Sequence, residues 1–162
     1  MNGKKATRPC PCGCFGHRTH ACRCTPALVT RYQDRISGPL LDRVDMRVEV
    51  PSLTDRELLE LPGGESSAQV AQRVLRARER ARRRQGRANA LLSGADIDRR
   101  CRPQGPVRQL LHAASSRLGW SARAFHRVLK VARAIADLED ADELAAAHVA
   151  EAIQYRRSLR ES

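Results

Sequence analysis

Apolar residues recur at a helical spacing through most of the segment from residue 66 to residue 157. In each stretch they return after three or four positions, which places them on one face of an α-helix and leaves charged residues on the other. The pattern predicts helices over residues 66–85, 106–118, 121–136 and 146–157. Only 3% of the chain is aromatic, so alanine, leucine and valine have to fill the core. Such a core favours packed helices, and we predict a mainly α fold.

Capping residues mark where these helices begin and end. Ser66 or Ser67 can cap the first helix and Ser121 the third, because a serine side chain can accept a backbone N–H of the first turn. Gly86 and Gly119 follow the first two helices, where glycine readily takes a left-handed conformation. We expect the apolar stripe of the first helix to face the core: Val70, Val74, Ala77 and Ala81.

Two shorter helices are predicted nearer the N-terminus. Thr25-Pro26 is typical of a cap followed by the first helical residue and predicts a helix over 26–34. Thr54 can cap another, with Glu57 completing a capping box.

Residues 44–50 alternate between apolar and charged side chains, which predicts a half-buried β-strand. A Gly-Pro pair at 38–39 breaks the chain before it. Arg43 would then lie at the edge of the strand, where its planar guanidinium could reach a phosphate. The alternative is a surface ion pair with Asp42 or Asp45.

Five of the six cysteines lie within residues 10–24. Thiolates are gathered in proteins mainly to bind a soft cation, and two Cys-x-Cys pairs closed by a short loop can form a tetrahedral zinc site. The candidate ligands are Cys10, Cys12, Cys22 and Cys24. Spare or alternative ligands are Cys14, His17 and His20. A cluster of reduced thiols without metal is the other interpretation, and isolated Cys101 is expected in the core.

The chain is strongly basic, with 30 lysines and arginines against 18 acidic residues and a net charge of +12. Between residues 66 and 90 there are eight arginines and one glutamate. Such a helix can grip a nucleic-acid backbone, and a solvated helix face is the alternative. The candidate nucleic-acid contacts are Arg76, Arg80, Arg83 and Arg84.

No apolar run approaches the roughly 20 residues needed to span a bilayer, so we expect no membrane partner. The basic N-terminus lacks the apolar segment of a secretory signal. Clustered cysteines without an export signal indicate a reducing, cytoplasmic location.

Several motifs, taken together, resemble one protein family. They are Cys-Pro-Cys-Gly at 10–13, Cys-Arg-Cys at 22–24, Tyr32, Arg-Ile-Ser-Gly-Pro-Leu-Leu-Asp-Arg at 35–43, Gly-Glu-Ser-Ser at 64–67, Ser-Ala-Arg-Ala-Phe-His-Arg at 121–127 and Ile-Ala-Asp-Leu at 135–138. In this order they resemble the C-terminal portion of magnesium-chelatase-like AAA+ ATPases of the YifB/ComM type.

The resemblance implies two parts. Residues 1–62 would be the C-terminal remnant of an AAA+ α/β core, with the cysteine loop and one strand, and residues 63–162 a helical lid domain. It also implies an ATP- and magnesium-dependent ring of identical subunits that acts on DNA. Proteins of the ComM type are linked to branch migration during natural transformation.

Three arginines acquire roles from the resemblance. Arg43 matches the arginine finger, which would contact the γ-phosphate bound by the neighbouring subunit and stabilise charge in the transition state. Arg123 matches the sensor-2 arginine, which would contact the ATP of its own subunit. Arg127 lies one turn later on the same helix face and is a secondary candidate. For Arg123 and Arg127 the alternative is an ordinary helix surface.

The sequence also departs from the family pattern. Arg8 stands where the family has an asparagine, and there is no phosphate-binding Gly-x-x-x-x-Gly-Lys-[Ser/Thr] motif. We therefore expect a fragment of an ATPase that supplies arginine finger and sensor 2 but hydrolyses no ATP alone. Two other functions stay open: a stand-alone zinc-stabilised nucleic-acid-binding module, and a regulatory subunit that inserts into the rings of an intact relative.

Overall fold

The computed structural model describes residues 8–17, 20–35, 43–48, 50, 53–60 and 62–156. Within these residues the chain is helical. The helices are α1 Pro26–Gln33, α2 Asp55–Glu60, α3 Ser67–Gln85, α4 Gly94–Arg100, α5 Gly105–Leu118, α6 Ala122–Leu138 and α7 Ala146–Gln154, with a 3₁₀-helix at Asn89–Leu91. No helix in the described part is long and apolar enough to cross a membrane. The mainly α prediction is confirmed.

The chain divides into two compact units. Unit 1 comprises residues 1–43 and 49–63, and its described part holds the cysteine loop, α1 and α2. Unit 2 comprises residues 44–48 and 64–162 and holds the other helices.

Helix α6 is the centre of unit 2. It packs against α3, α4, α7 and the 3₁₀-helix, while α5 packs against α7. Its side chains at Val128, Leu129 and Ala132 are at most 2% exposed, as are Ile97 on α4 and Leu111 on α5. Burying a side chain such as Leu111 contributes about 1.5–3 kcal/mol relative to leaving it in water, so this cluster is the main source of stability in unit 2.

The helix ends follow the local chemistry read from the sequence. Ser121 Oγ accepts the backbone N–H of Ala124 at 3.1 Å. Thr25 Oγ1 accepts that of Leu28 at 3.3 Å. Gly86 ends α3 in the left-handed region, at φ 75°. These capping predictions are confirmed because each depends on residues only a few positions apart.

The prediction of a β-strand over residues 44–50 is wrong for the residues that the structure describes, 44–48 and 50. A strand needs a neighbouring strand for its backbone hydrogen bonds, and none lies in the described residues. Instead, the Arg47 N–H donates to the Tyr155 carbonyl at 2.9 Å, and the Arg156 side chain donates to the Val44 carbonyl. This segment is therefore attached to the end of the helical bundle.

The expectation that the apolar stripe of α3 faces the core holds only near the end of the helix. Ala81 is 2% exposed, but Val70 and Val74 are 36% and 42% exposed. Every residue from 67 to 76 is exposed. The C-terminal half of α3 contacts α6. The first ten residues of α3 form an exposed arm, residues 67–76.

Candidate metal centre and candidate arginine contacts

Four cysteines in unit 1 converge on one point. The Sγ atoms of Cys10, Cys12, Cys22 and Cys24 all lie within 4.8 Å of one another. The Cys10–Cys12, Cys10–Cys22 and Cys12–Cys22 sulfur separations are 3.3, 3.7 and 3.6 Å. Tetrahedral zinc with Zn–S bonds of about 2.3 Å requires sulfurs about 3.8 Å apart. The four-cysteine centre therefore has a geometry that can hold a metal ion.

Tight loop geometry brings these sulfurs together. Gly13 has φ of +81°, a left-handed conformation, and its N–H donates to the Cys10 carbonyl at 3.0 Å. The turn folds the loop back, so that the Phe15 N–H donates to Cys10 Sγ at 3.3 Å. An N–H directed at a sulfur stabilises the thiolate form that binds metal.

The electrostatics of the four-cysteine centre differ from thiol to thiol. Backbone N–H groups of Cys14 and Arg23 lower the pKa of Cys12 to about 5. Although the N–H of Cys24 acts in the opposite direction, desolvation and neighbouring thiols raise the pKa of Cys22 to about 12. The surroundings of Cys12 thus favour the thiolate, the form in which a cysteine binds a metal.

The spare ligands suggested by the sequence lie outside this group of four. Cys14 directs its thiol at the Cys12 carbonyl, at 3.7 Å. The His17 and His20 rings pack edge to face, with their Nδ1 atoms 3.4 Å apart. Cys101 lies in unit 2 and is 2% exposed, which confirms its core position, and burial raises the pKa of its thiol.

The three arginines assigned to nucleotide contact have different surroundings. Arg43 is exposed in unit 1. Arg123 lies in the first turn of α6 in unit 2, and its exposed side chain makes no hydrogen bond or ion pair within the described part of the chain. Arg127, one turn later, donates from Nη1 to the carboxylate of Asp45. Asp45, one of the two acidic residues suggested as a partner of Arg43, is thus paired with Arg127. The other, Asp42, lies outside the described residues.

The four arginines of α3 proposed for nucleic acid do not form a uniform exposed face. Arg80 donates to Asp142 at 2.5 Å, and the Arg84 guanidinium donates to both oxygens of Asp137 at 2.6 and 2.9 Å. Arg83 is 80% exposed, and among the described residues it pairs only with Glu79 of its own helix, at 3.3 Å. Arg76 is exposed and has no partner in the described part of the chain. Arg76 and Arg83 are therefore the members still available to a ligand.

A buried ionic cluster at the α3–α6 contact escaped the sequence analysis. Asp137 and Arg133 on α6 are only 1% and 2% exposed. Asp137 also accepts from Arg84 and from Asn89 Nδ2, the latter at 2.8 Å. Burial alone would raise the pKa of Asp137, but these donors outweigh it and lower the pKa. The sequence signal for this cluster is the spacing of Arg133 and Asp137, four residues apart on α6, whose other buried residues are apolar.

Comparison with known proteins agrees with this arrangement of a cysteine loop followed by a helical bundle. Residues 64–156 match the family described as magnesium chelatase, subunit ChlI C-terminal. Residues 4–58 match magnesium chelatase, subunit ChlI. The chain belongs to the magnesium chelatase family, which confirms the resemblance seen in its motifs.

Individual relatives extend over nearly all of the chain. It is 42% identical over 156 residues to competence protein ComM of Haemophilus influenzae. It is 42% and 40% identical to the YifB proteins of Salmonella typhimurium and Escherichia coli, over 152 and 159 residues. These matches cover 93–96% of the chain and 30% of each relative. The chain thus spans less than a third of the length of these relatives.

Proposed function

We propose that the chain is the C-terminal, nucleotide-responding module of a magnesium-chelatase-type AAA+ ATPase that works as a ring of identical subunits. In this proposal Arg43 is the arginine finger and Arg123 the sensor-2 contact to ATP, with magnesium bound by other parts of the ring. The observation that carries the proposal is the state of Arg123. Its side chain is exposed and has no partner among the described residues, in the first turn of the central helix of unit 2, and is available to an anionic ligand.

A chimera tests this proposal. The matching part of H. influenzae ComM is replaced by this chain, and steady-state ATP hydrolysis is measured. We expect Arg43→Ala and Arg123→Ala each to lower kcat by about tenfold or more, because an arginine that stabilises transferring phosphate contributes at least that much. The chain alone should hydrolyse no ATP, since it has no phosphate-binding loop.

Arg117→Ala is the matched control, because Arg117 is an exposed arginine near the end of α5 in the same unit. Equal activity of the Arg117→Ala and Arg123→Ala chimeras would refute the sensor-2 role. If the separate chain instead alters the ATPase of intact ComM, and Arg43→Ala removes that effect, the regulatory-subunit function is favoured.

We also propose that the ring acts on DNA through α3. The support is the net charge of +12 and the exposure of Arg76 and Arg83. One relative of the chain is named a competence protein, ComM. Each phosphate contact releases counterions, so affinity should fall with salt.

Fluorescence anisotropy with labelled DNA measures this dependence. Removing two phosphate contacts should reduce the slope of log affinity against log salt by about 2. We expect this for Arg76→Ala/Arg83→Ala but not for Arg108→Ala/Arg117→Ala, a pair of exposed arginines on α5 with the same charge change. Equal slopes for the two double variants would remove α3 as the DNA site.

For the four-cysteine centre we propose zinc as the ion. Four sulfur ligands at tetrahedral spacing are typical of structural zinc, whereas magnesium prefers oxygen ligands. Zinc here would be structural, because four protein ligands leave no open coordination position. The magnesium of the ATPase would thus be a separate ion at the nucleotide.

A further inference from the structure

The described part of unit 1 has very little apolar core to hold it together. Among its described residues only Cys10 and Val29 are buried and apolar, at 0% and 5% exposure. Phe15, Leu58 and Leu59 are 49%, 64% and 86% exposed. Small units that bury so little apolar surface generally need a cross-link, either a disulfide or a metal. The cysteines of this loop are free thiols, so a metal is the cross-link that its residues can supply.

Helix α1 cannot supply its own stability. It has eight residues, and isolated helices shorter than about 12–15 residues are marginal in water. Its one buried side chain is Val29. Contacts at the two ends of α1 therefore add to the little that its single buried side chain contributes.

Both ends of α1 are tied to the cysteine loop. At the start, Cys24 immediately precedes Thr25, the residue whose side chain caps the helix. At the other end, Gln33 Nε2 donates to the Pro9 carbonyl at 3.2 Å, next to Cys10. The hydrogen bond between Gln33 and Pro9 thus closes the segment from Pro9 to Gln33 into a loop. The four-cysteine centre lies next to both Pro9 and Thr25, through Cys10 and Cys24.

We propose that metal binding at the four-cysteine centre folds α1, so that this helix forms only when Cys10, Cys12, Cys22 and Cys24 hold a metal ion. The proposal rests on the zinc assignment above. Metal binding would bring Cys24 against Cys10, place Thr25 for its capping role and bring Gln33 within reach of Pro9. Because a site made of separate loop segments exists only in the folded unit, the free energy of metal binding becomes free energy of folding.

Hydrogen exchange with mass spectrometry on the full chain tests this coupling. The protein is purified under reducing conditions, stripped with a chelator and returned to zinc sulfate, and bound zinc is measured by its release on thiol modification. We expect one zinc per chain, and exchange over 26–33 that is about tenfold or more faster without zinc, as for a locally unfolded helix. Exchange over 122–138 in unit 2 should be unchanged.

Two cysteine variants sharpen the test. Cys22→Ser removes a ligand and should show fast exchange over 26–33 even with zinc present. Cys14→Ser is the matched control, since Cys14 lies in the same loop but is not one of the four cysteines whose sulfurs converge. It should bind zinc and protect α1 as the natural chain does.

The outcomes separate the two proposals. No bound zinc in the natural chain would overturn the zinc assignment and with it the coupling. Stoichiometric zinc with the same exchange over 26–33 in loaded and stripped protein would overturn the coupling and leave the zinc assignment standing. Zinc-dependent protection that Cys22→Ser abolishes and Cys14→Ser retains supports both.

Discussion

At the scale of single residues, the carboxylate of Asp137 is a buried charge at the contact of α3 with α6. It is buried on α6 and is compensated by Arg84, Arg133 and Asn89. Arg133 in turn donates to the Asp142 carbonyl at 2.7 Å, just beyond the end of α6. A buried charge is tolerated only when its partners are complete. Asp137 therefore joins α3, the 3₁₀-helix and α6 through polar contacts.

Replacing Asp137 tests this role. Asp137→Ala leaves Arg84 and Arg133 without their carboxylate, and removing one partner of a buried pair costs roughly 3–5 kcal/mol. Urea unfolding followed by circular dichroism should show a loss of that order. Glu79→Ala is the control, because it removes only an exposed pair with Arg83 and should cost no more than about 0.5 kcal/mol.

Acid adds a second readout for the same residue. The pKa of Asp137 is lower in the folded chain than its ordinary value of 3.8. Its stabilising contribution is therefore complete above that value and is lost as the pH falls through the lower, folded pKa. The natural chain should lose stability below about pH 4 more steeply than Asp137→Ala. Parallel pH profiles for the two proteins would show that Asp137 does not contribute in this way.

At the scale of elements, two well-capped helices have different environments. Ser66 and Gln69 form a reciprocal capping box at the start of α3, and Ser121 caps α6. The first ten residues of α3 are exposed, whereas α6 is surrounded by its neighbours. A serine cap thus starts an exposed helical arm in α3 and the central helix of unit 2 in α6.

Cap removal should separate these two situations. Ser121→Ala should lower the free energy of unfolding of unit 2 by about 1 kcal/mol, the usual value of a serine cap. Ser66→Ala should leave the global transition nearly unchanged, because the exposed arm can fray without disturbing the core. Urea unfolding gives the global values, and hydrogen exchange over 67–76 should report the local fraying. Equal global losses would indicate that the arm is coupled to the core.

At the scale of the whole molecule, the two units depend on different interactions. Unit 2 has a buried apolar cluster that includes Ile97, Leu111 and Leu129, whereas the described part of unit 1 has a thiol cluster and little buried apolar surface. Removing a metal should therefore affect unit 1 without unfolding unit 2. The division of the chain at residues 62 and 63 into core remnant and lid stays a prediction, as do the ring, the DNA partner and the cytoplasmic location.

The sequence by itself determined the features that depend on near neighbours. The six helices predicted above, the caps at Thr25, Ser66 and Ser121, and the Cys-x-Cys spacing that gathers four sulfurs all follow from residues close together in the chain. The family followed from ordered motifs in the same way.

Only the tertiary structure decided which groups residues 44–50 and the arginines of α3 contact. The alternation over residues 44–50 resembles a strand, yet a strand needs a partner that pattern alone cannot guarantee. Arg76 and Arg84 belong to the same basic run, but only Arg84 faces a buried aspartate 53 residues further along the chain. Burial and ion pairing depend on groups brought together from distant positions, and for that reason only the folded structure could separate the arginines that hold the bundle from those available to a ligand.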